Sequence, residues 1–85
     1  MDVLGAMRET VALLGDAGNV GSPVPPECDN VHLRGMLDHM EHRHLSDEMS
    51  YGKMCRWLGF VQGVLITRGV ATLKQLKEIN QRHAG

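Results

Sequence analysis

Aromatic residues are scarce in this chain, with one Trp, one Tyr and one Phe among 85 residues. Any aromatic anchor must therefore be Tyr51, Trp57 or Phe60. Cysteine is scarce too. Cys28 and Cys55 stand alone without a CxxC companion, which excludes a disulfide framework and the usual thiolate zinc spacing. No apolar run approaches the roughly 18 residues of a membrane span. The opening Met1-Asp2-Val3-Leu4-Gly5 lacks the basic and apolar regions of a secretory leader. The expectation is a reducing cytosol with both thiols free. Period-two alternation and Asn-Gly or Asp-Gly hairpin signals are missing, so strands are not expected. A domain this small buries only roughly 60–65% of its unfolded surface. Helix packing, with self-association as a further option, is left to supply its stability.

What is present is helical spacing, and the expected fold is all-α, a small bundle of three to four helices in a single domain over residues 1–85. Leu4, Met7, Val11 and Leu14 recur at steps of three and four, which predicts a first helix from Asp2 to Leu14 within 1–15. Gly15 is placed to stop it. Residues 16–29 carry Gly18, Gly21, Pro23, Pro25 and Pro26 and read as a linker, extended or polyproline-like through Val24-Pro25-Pro26. Connections of that length are uncommon unless functional or mobile. The helical core is expected over 30–85. Its first helix is capped by Asp29 or Asn30 and runs to about Leu45, with Leu33, Met36, Leu37 and Met40 as its stripe. The next runs from Tyr51 to Arg68 on Met54, Trp57, Leu58, Val61, Val64 and Leu65, a face broad enough for the central helix. Trp57 is expected in the core. Gly69 closes this helix in a left-handed residue, with Val70 making the apolar contact. Thr72-Leu73-Lys74-Gln75 is a capping-box pattern that opens the last helix, with Ala71 stapled against Leu76.

Charge is divided unevenly. Residues 1–50 hold nine acidic side chains against three arginines, whereas residues 51–85 hold six basic side chains against Glu78 alone. Either the halves fold onto each other and cancel, or they leave two patches of opposite sign, one of which steers a partner.

Reactive constellations are weakly stated. Asp38-His39-Met40-Glu41-His42-Arg43-His44 is rich in ligand types, and His39 and His42 can share a helix face. Yet there is no HExxH, and His44 turns away from that face, so a solvated polar surface without metal is expected. A catalytic thiol needs a positioned base. Cys55 reads as a small buried hydrophobe and Cys28 as a loop thiol. No cofactor is expected. Gly59 and Gly63 form a GxxxG, with Gln62 beside it. The glycines serve either close packing against another helix of the same chain or a homodimer contact. The basic last helix, with Lys74, Lys77 and Arg82, raises a nucleic-acid reading through a helix-turn-helix, against which stands a near-neutral pI.

The segment Lys53, Arg56, Trp57, Leu58, Gly59, Phe60 and Gln62, with T-L-K-Q-L-K-E-I-N-Q-R-H after it, resembles a set of small phage and prophage proteins. These carry Lys-x-x-Arg-Trp-Leu-Gly-aromatic-x-Gln near their C-terminus. The resemblance covers roughly residues 50–83. It implies a product made in a bacterial cytoplasm, of a kind that binds and disables a host protein. The expectation is therefore a non-enzymatic protein-binding module, a modulator or inhibitor of a host protein, with a nucleic-acid accessory role through the last helix as the alternative. The expected contact surface is the acidic flank of the second helix and the adjacent turn, Asp38, Glu41, Asp47 and Glu48, with whichever of Tyr51 or Phe60 is exposed.

Overall fold

Each helix begins where a short polar side chain takes up a free backbone N–H, as the first turn requires. In the computed structural model, which describes residues 1–85, α1 (Val3–Ala12) is capped by Asp2, whose carboxylate accepts from the Gly5 N–H. Asp29 caps α2 (Asn30–Arg43), and Ser50 caps α3 (Tyr51–Thr67) by accepting from Lys53. Thr72 and Gln75 satisfy each other reciprocally at the start of α4 (Leu73–Arg82). The ends are equally specific. Gly69 adopts φ 74°, so the Val70 N–H reaches the Leu65 carbonyl at 2.9 Å and the Gly69 N–H that of Ile66 at 3.0 Å. These bonds tie off the last carbonyls of α3 in a Schellman motif. There are no strands, and no helix is long and apolar enough to cross a membrane.

The central helix is α1, not α3 as the broad stripe of α3 suggested. It buries Val3, Leu4, Gly5, Ala6, Met7, Thr10 and Val11, and it touches all three other helices. Small side chains make this feasible. Gly5 and Ala6 let neighbours approach, while the Thr10 hydroxyl satisfies itself on the Ala6 carbonyl at 2.8 Å. Around α1 close Leu33 and Met40 of α2, Met54, Leu58, Val61 and Leu65 of α3, and Leu76 and Ile79 of α4. Trp57 is only half-buried at the edge of this core, with Lys53 Nζ 5.4 Å above its ring and the His39 ring 5.4 Å away. Cys55 is exposed rather than buried, because it falls one position off the inward stripe that begins at Met54. The α2 helix stops at Arg43, and Leu45 beyond it is 91% exposed.

A side-chain clamp joins the two ends of the bundle. The Asp2 N–H donates to the His83 carbonyl at 2.7 Å, and the His83 ring lies between the carboxylates of Asp2 and Glu9. Arg82 adds a 2.8 Å bond to Glu9. Gly5 is the residue that makes room, since a Cβ there would sit 2.7 Å from the His83 ring.

The segment expected as a linker is a built loop. The Asp29 carboxylate accepts from the backbone N–H groups of Val20, Gly21 and Asn30 at 2.8–2.9 Å. The Asn30 side chain donates to the Gly18 carbonyl at 2.8 Å and accepts from Arg68, which also donates to the Cys28 carbonyl. Arg34 donates to the carbonyls of Gly15 and Ala17. Pro25 is polyproline-like at φ −58°, ψ 144°, as expected, but Pro26–Cys28 turns into a short 3₁₀ helix that delivers Asp29 to its cap position.

The carboxylates in these clusters give stability a definite pH dependence. Glu9 is held below its ordinary range by hydrogen bonds from Arg82 and then His83, and Asp2 chiefly by the Gly5 N–H. Asp29 is nearly buried, which opposes its charge, yet three backbone N–H donors and Arg68 hold it low. Folded carboxylates with depressed pKa values bind protons less readily than unfolded ones, so acid favours the unfolded chain. The melting temperature is expected to hold level at neutral pH and to fall below about pH 4. Glu9→Gln should flatten that fall, read by circular dichroism melts across pH.

Candidate protein-binding surface

One side of α3 faces the core and the other faces nothing. With roughly 100° per residue, Met54, Leu58, Val61 and Leu65 form the inward stripe, while Gly52, Cys55, Arg56, Gly59, Gly63 and Ile66 form the outward one. A Cβ built on Gly59 or Gly63 meets no atom within 4 Å. The GxxxG therefore packs no helix of this chain, and its backbone is open on the surface. Phe60 is 42% and Ile66 41% exposed beside it, and Tyr51 is 58% exposed at the start of the helix.

On the Phe60 side this face deepens into a groove of about 620 Å³. Its α3 side is lined by Gly59, Phe60, Gly63, Val64 and Thr67, and its second wall is Pro23, Val24 and Pro25. Only the pinned loop makes that second wall. Arg68 stands at one end of the groove, its guanidinium already committed to the Cys28 carbonyl and Asn30. Arg56 stands one turn before Phe60, with no carboxylate within 4.0 Å.

The residues expected at the contact surface are brought together only in part. Glu41 lies 3.5 Å from Arg8 and Glu48 3.3 Å from Arg43, while Asp38 is beside His42, so only Asp47 of the acidic flank has no ion-pair partner. Tyr51 and Phe60 are nine residues apart on α3, roughly 180° around its axis. The Tyr51 phenol is pushed above its ordinary value by desolvation first and then by the Cys55 thiol beside it. Gln62 points inward, away from the glycine face. Its amide donates to Asn80 at 2.8 Å and to the Thr10 hydroxyl at 3.2 Å, joining α3 to α4 and α1. Of the two roles expected there, helix packing or a dimer contact, Gln62 takes the internal one, because position 62 borders the core stripe. Sequence reasoning missed Pro23, Val24, Pro25, Val64 and Arg56. The proline cluster was the available signal, but nothing in the sequence said which helix it would lie against.

The histidine-rich stretch of α2 is spread over separate tasks. The His42 ring approaches the Asp38 carbonyl at 2.7 Å, and the His44 ring approaches that of Glu41 at 3.0 Å, so both satisfy carbonyls near the C-terminus of the helix. His39 instead leans on Trp57. Cys28 is half-buried at the groove wall and Cys55 exposed on α3, and both are free thiols.

Comparison with protein-family models, with curated proteins and with solved structures finds no match to this chain.

The open glycines yield a direct check of this geometry. Alanine is favoured over glycine inside a helix by about 1 kcal/mol. The double change Gly59→Ala and Gly63→Ala should therefore raise the melting temperature, by roughly 4–8 °C per kcal/mol for a domain of this size. Glycines packed against a neighbouring helix would give a fall instead.

Proposed function

We propose that the chain is a non-enzymatic protein-binding module acting in the bacterial cytoplasm, a phage-encoded modulator or inhibitor of a host protein. One observation carries the reading: the outward face of α3, with the groove beside it, is largely apolar and uncovered. Helix-in-groove and helix-on-helix recognition use surfaces of this kind. The segment that resembles the small phage proteins divides by face in a way that agrees with this. Leu58 and Gln62 point into the bundle and hold it together. Arg56, Gly59 and Phe60 point outward and support nothing inside.

The nucleic-acid alternative has one supporting observation, the outer flank of α4 with Lys74, Lys77 and Gln81. Glu78 lies among them, and Arg82 is bound to Glu9. Two unpaired lysines beside a carboxylate make a small electrostatic footprint compared with that of phosphate-tracking surfaces.

A photocrosslinking amino acid tests the protein-binding reading. Benzoylphenylalanine placed at Phe60, and separately at Leu73 on α4, would be expressed in bacterial cells and irradiated. The expected result is a discrete host-protein adduct from position 60 and none from position 73. Adducts from position 73 alone, or retention of random duplex DNA at low salt, would favour the α4 reading instead.

A further inference from the structure

We infer that the occupant of the α3 face is an acidic amphipathic helix of another protein, laid along the glycine floor with an apolar side chain in the Pro23–Phe60 groove. This rests on the reading of that face as a protein-binding surface and adds the chemistry of the partner.

Backbone hydrogen bonding selects a helix. The floor of the site is the exposed backbone of α3 at Gly59 and Gly63, whose N–H and C=O groups are used within the helix itself. The opposite wall is Pro23-Val24-Pro25, where two of three residues have no N–H. An extended peptide would lose water from its own N–H and C=O groups and find few partners here. A helix brings its backbone already satisfied. With no side chains on the floor, its axis can approach α3 more closely than the usual 8–10 Å or so.

Charge selects an acidic one. Between Glu48 and Glu78 the chain has no carboxylate. Of the basic side chains, Arg8, Arg43 and Arg82 pair with acids, while Arg34 and Arg68 are spent on backbone carbonyls and Asn30. The four left without such a partner, Lys53, Arg56, Lys74 and Lys77, all fall in the acid-free stretch. Two of them are on α3, and Arg56 lies on the bare face itself, beside the groove. A second copy of the chain would bring the same cations and no carboxylate on its own α3, setting like charges together. A carboxylate on the partner flank meets Arg56 with the sign that speeds encounter and fixes register.

Three synthetic helical peptides test this, sharing one alanine–leucine stripe and differing only in flanking Glu, Gln or Lys. Each would be titrated into the isotope-labelled full chain and followed by amide NMR. The Glu peptide is expected to shift Gly59, Phe60 and Gly63 and to bind at least about tenfold tighter than the Lys peptide at low salt, with the difference shrinking as salt is added. Arg56→Glu, a surface change that leaves the core untouched, should reverse the order of the two. Equal binding by all three peptides at α3 would overturn the acidic partner and leave the surface standing. Shifts confined to other elements, or none, would overturn both. Concentration-dependent broadening of the same residues in the chain alone would overturn the hetero-partner in favour of a second copy.

Discussion

The Asp29 carboxylate decides what this molecule can present to others. It caps the start of α2 and holds the 20–21 backbone at the same time, and its neighbour Asn30 relays the constraint to Arg68 near the end of α3. A segment of glycine and proline has little apolar surface with which to dock itself. Here a few side chains bonded to backbone groups replace that missing burial. The result is a polyproline wall fixed beside a glycine-faced helix. Without the Asp29–Asn30–Arg68 chain of bonds the other three helices would still close around α1, but the groove would have one side.

Electrostatics follow a similar division. The first half of the sequence holds two internal pairs, Arg8 with Glu41 and Arg43 with Glu48, which leaves most of its nine acids without an arginine, and the halves meet as ion pairs only at the terminal clamp of Glu9 and Asp2 with Arg82 and His83. Of the two readings open from composition, cancellation accounts for that clamp alone. The cations of α3 and α4 are left over. Exposed pairs of this kind contribute little to stability, so the importance of the pattern lies in which charges remain free to meet a partner.

Much of the architecture was legible because it is written in local signals. The capping box of Thr72 and Gln75, the left-handed Gly69 followed by Val70, and the three- and four-residue spacing in every helix each specify geometry within a few residues of themselves. What was not legible depends on contacts between distant parts of the chain. Helix spacing shows which side of α3 is apolar, but it does not show that small, glycine- and alanine-containing α1 would be the element at the centre. Trp57 fits the inward stripe by spacing and yet lies at its margin, where His39 and Lys53 reach it. Gly59 and Gly63 look the same in sequence whether a helix covers them or not. The acidic flank of α2 read as a free patch because its counter-charge Arg8 lies 33 positions from Glu41.

Amide hydrogen exchange in the 16–29 segment tests the central claim most directly. Val20 and Gly21 donate to Asp29, whereas the Gly18 N–H in the same loop has no protein acceptor. A pinned loop predicts slow exchange at Val20 and Gly21 beside fast exchange at Gly18, with protection lost in Asp29→Asn. Equally fast exchange at all three amides in the unaltered protein would mean that the segment is loose and the groove has no second wall.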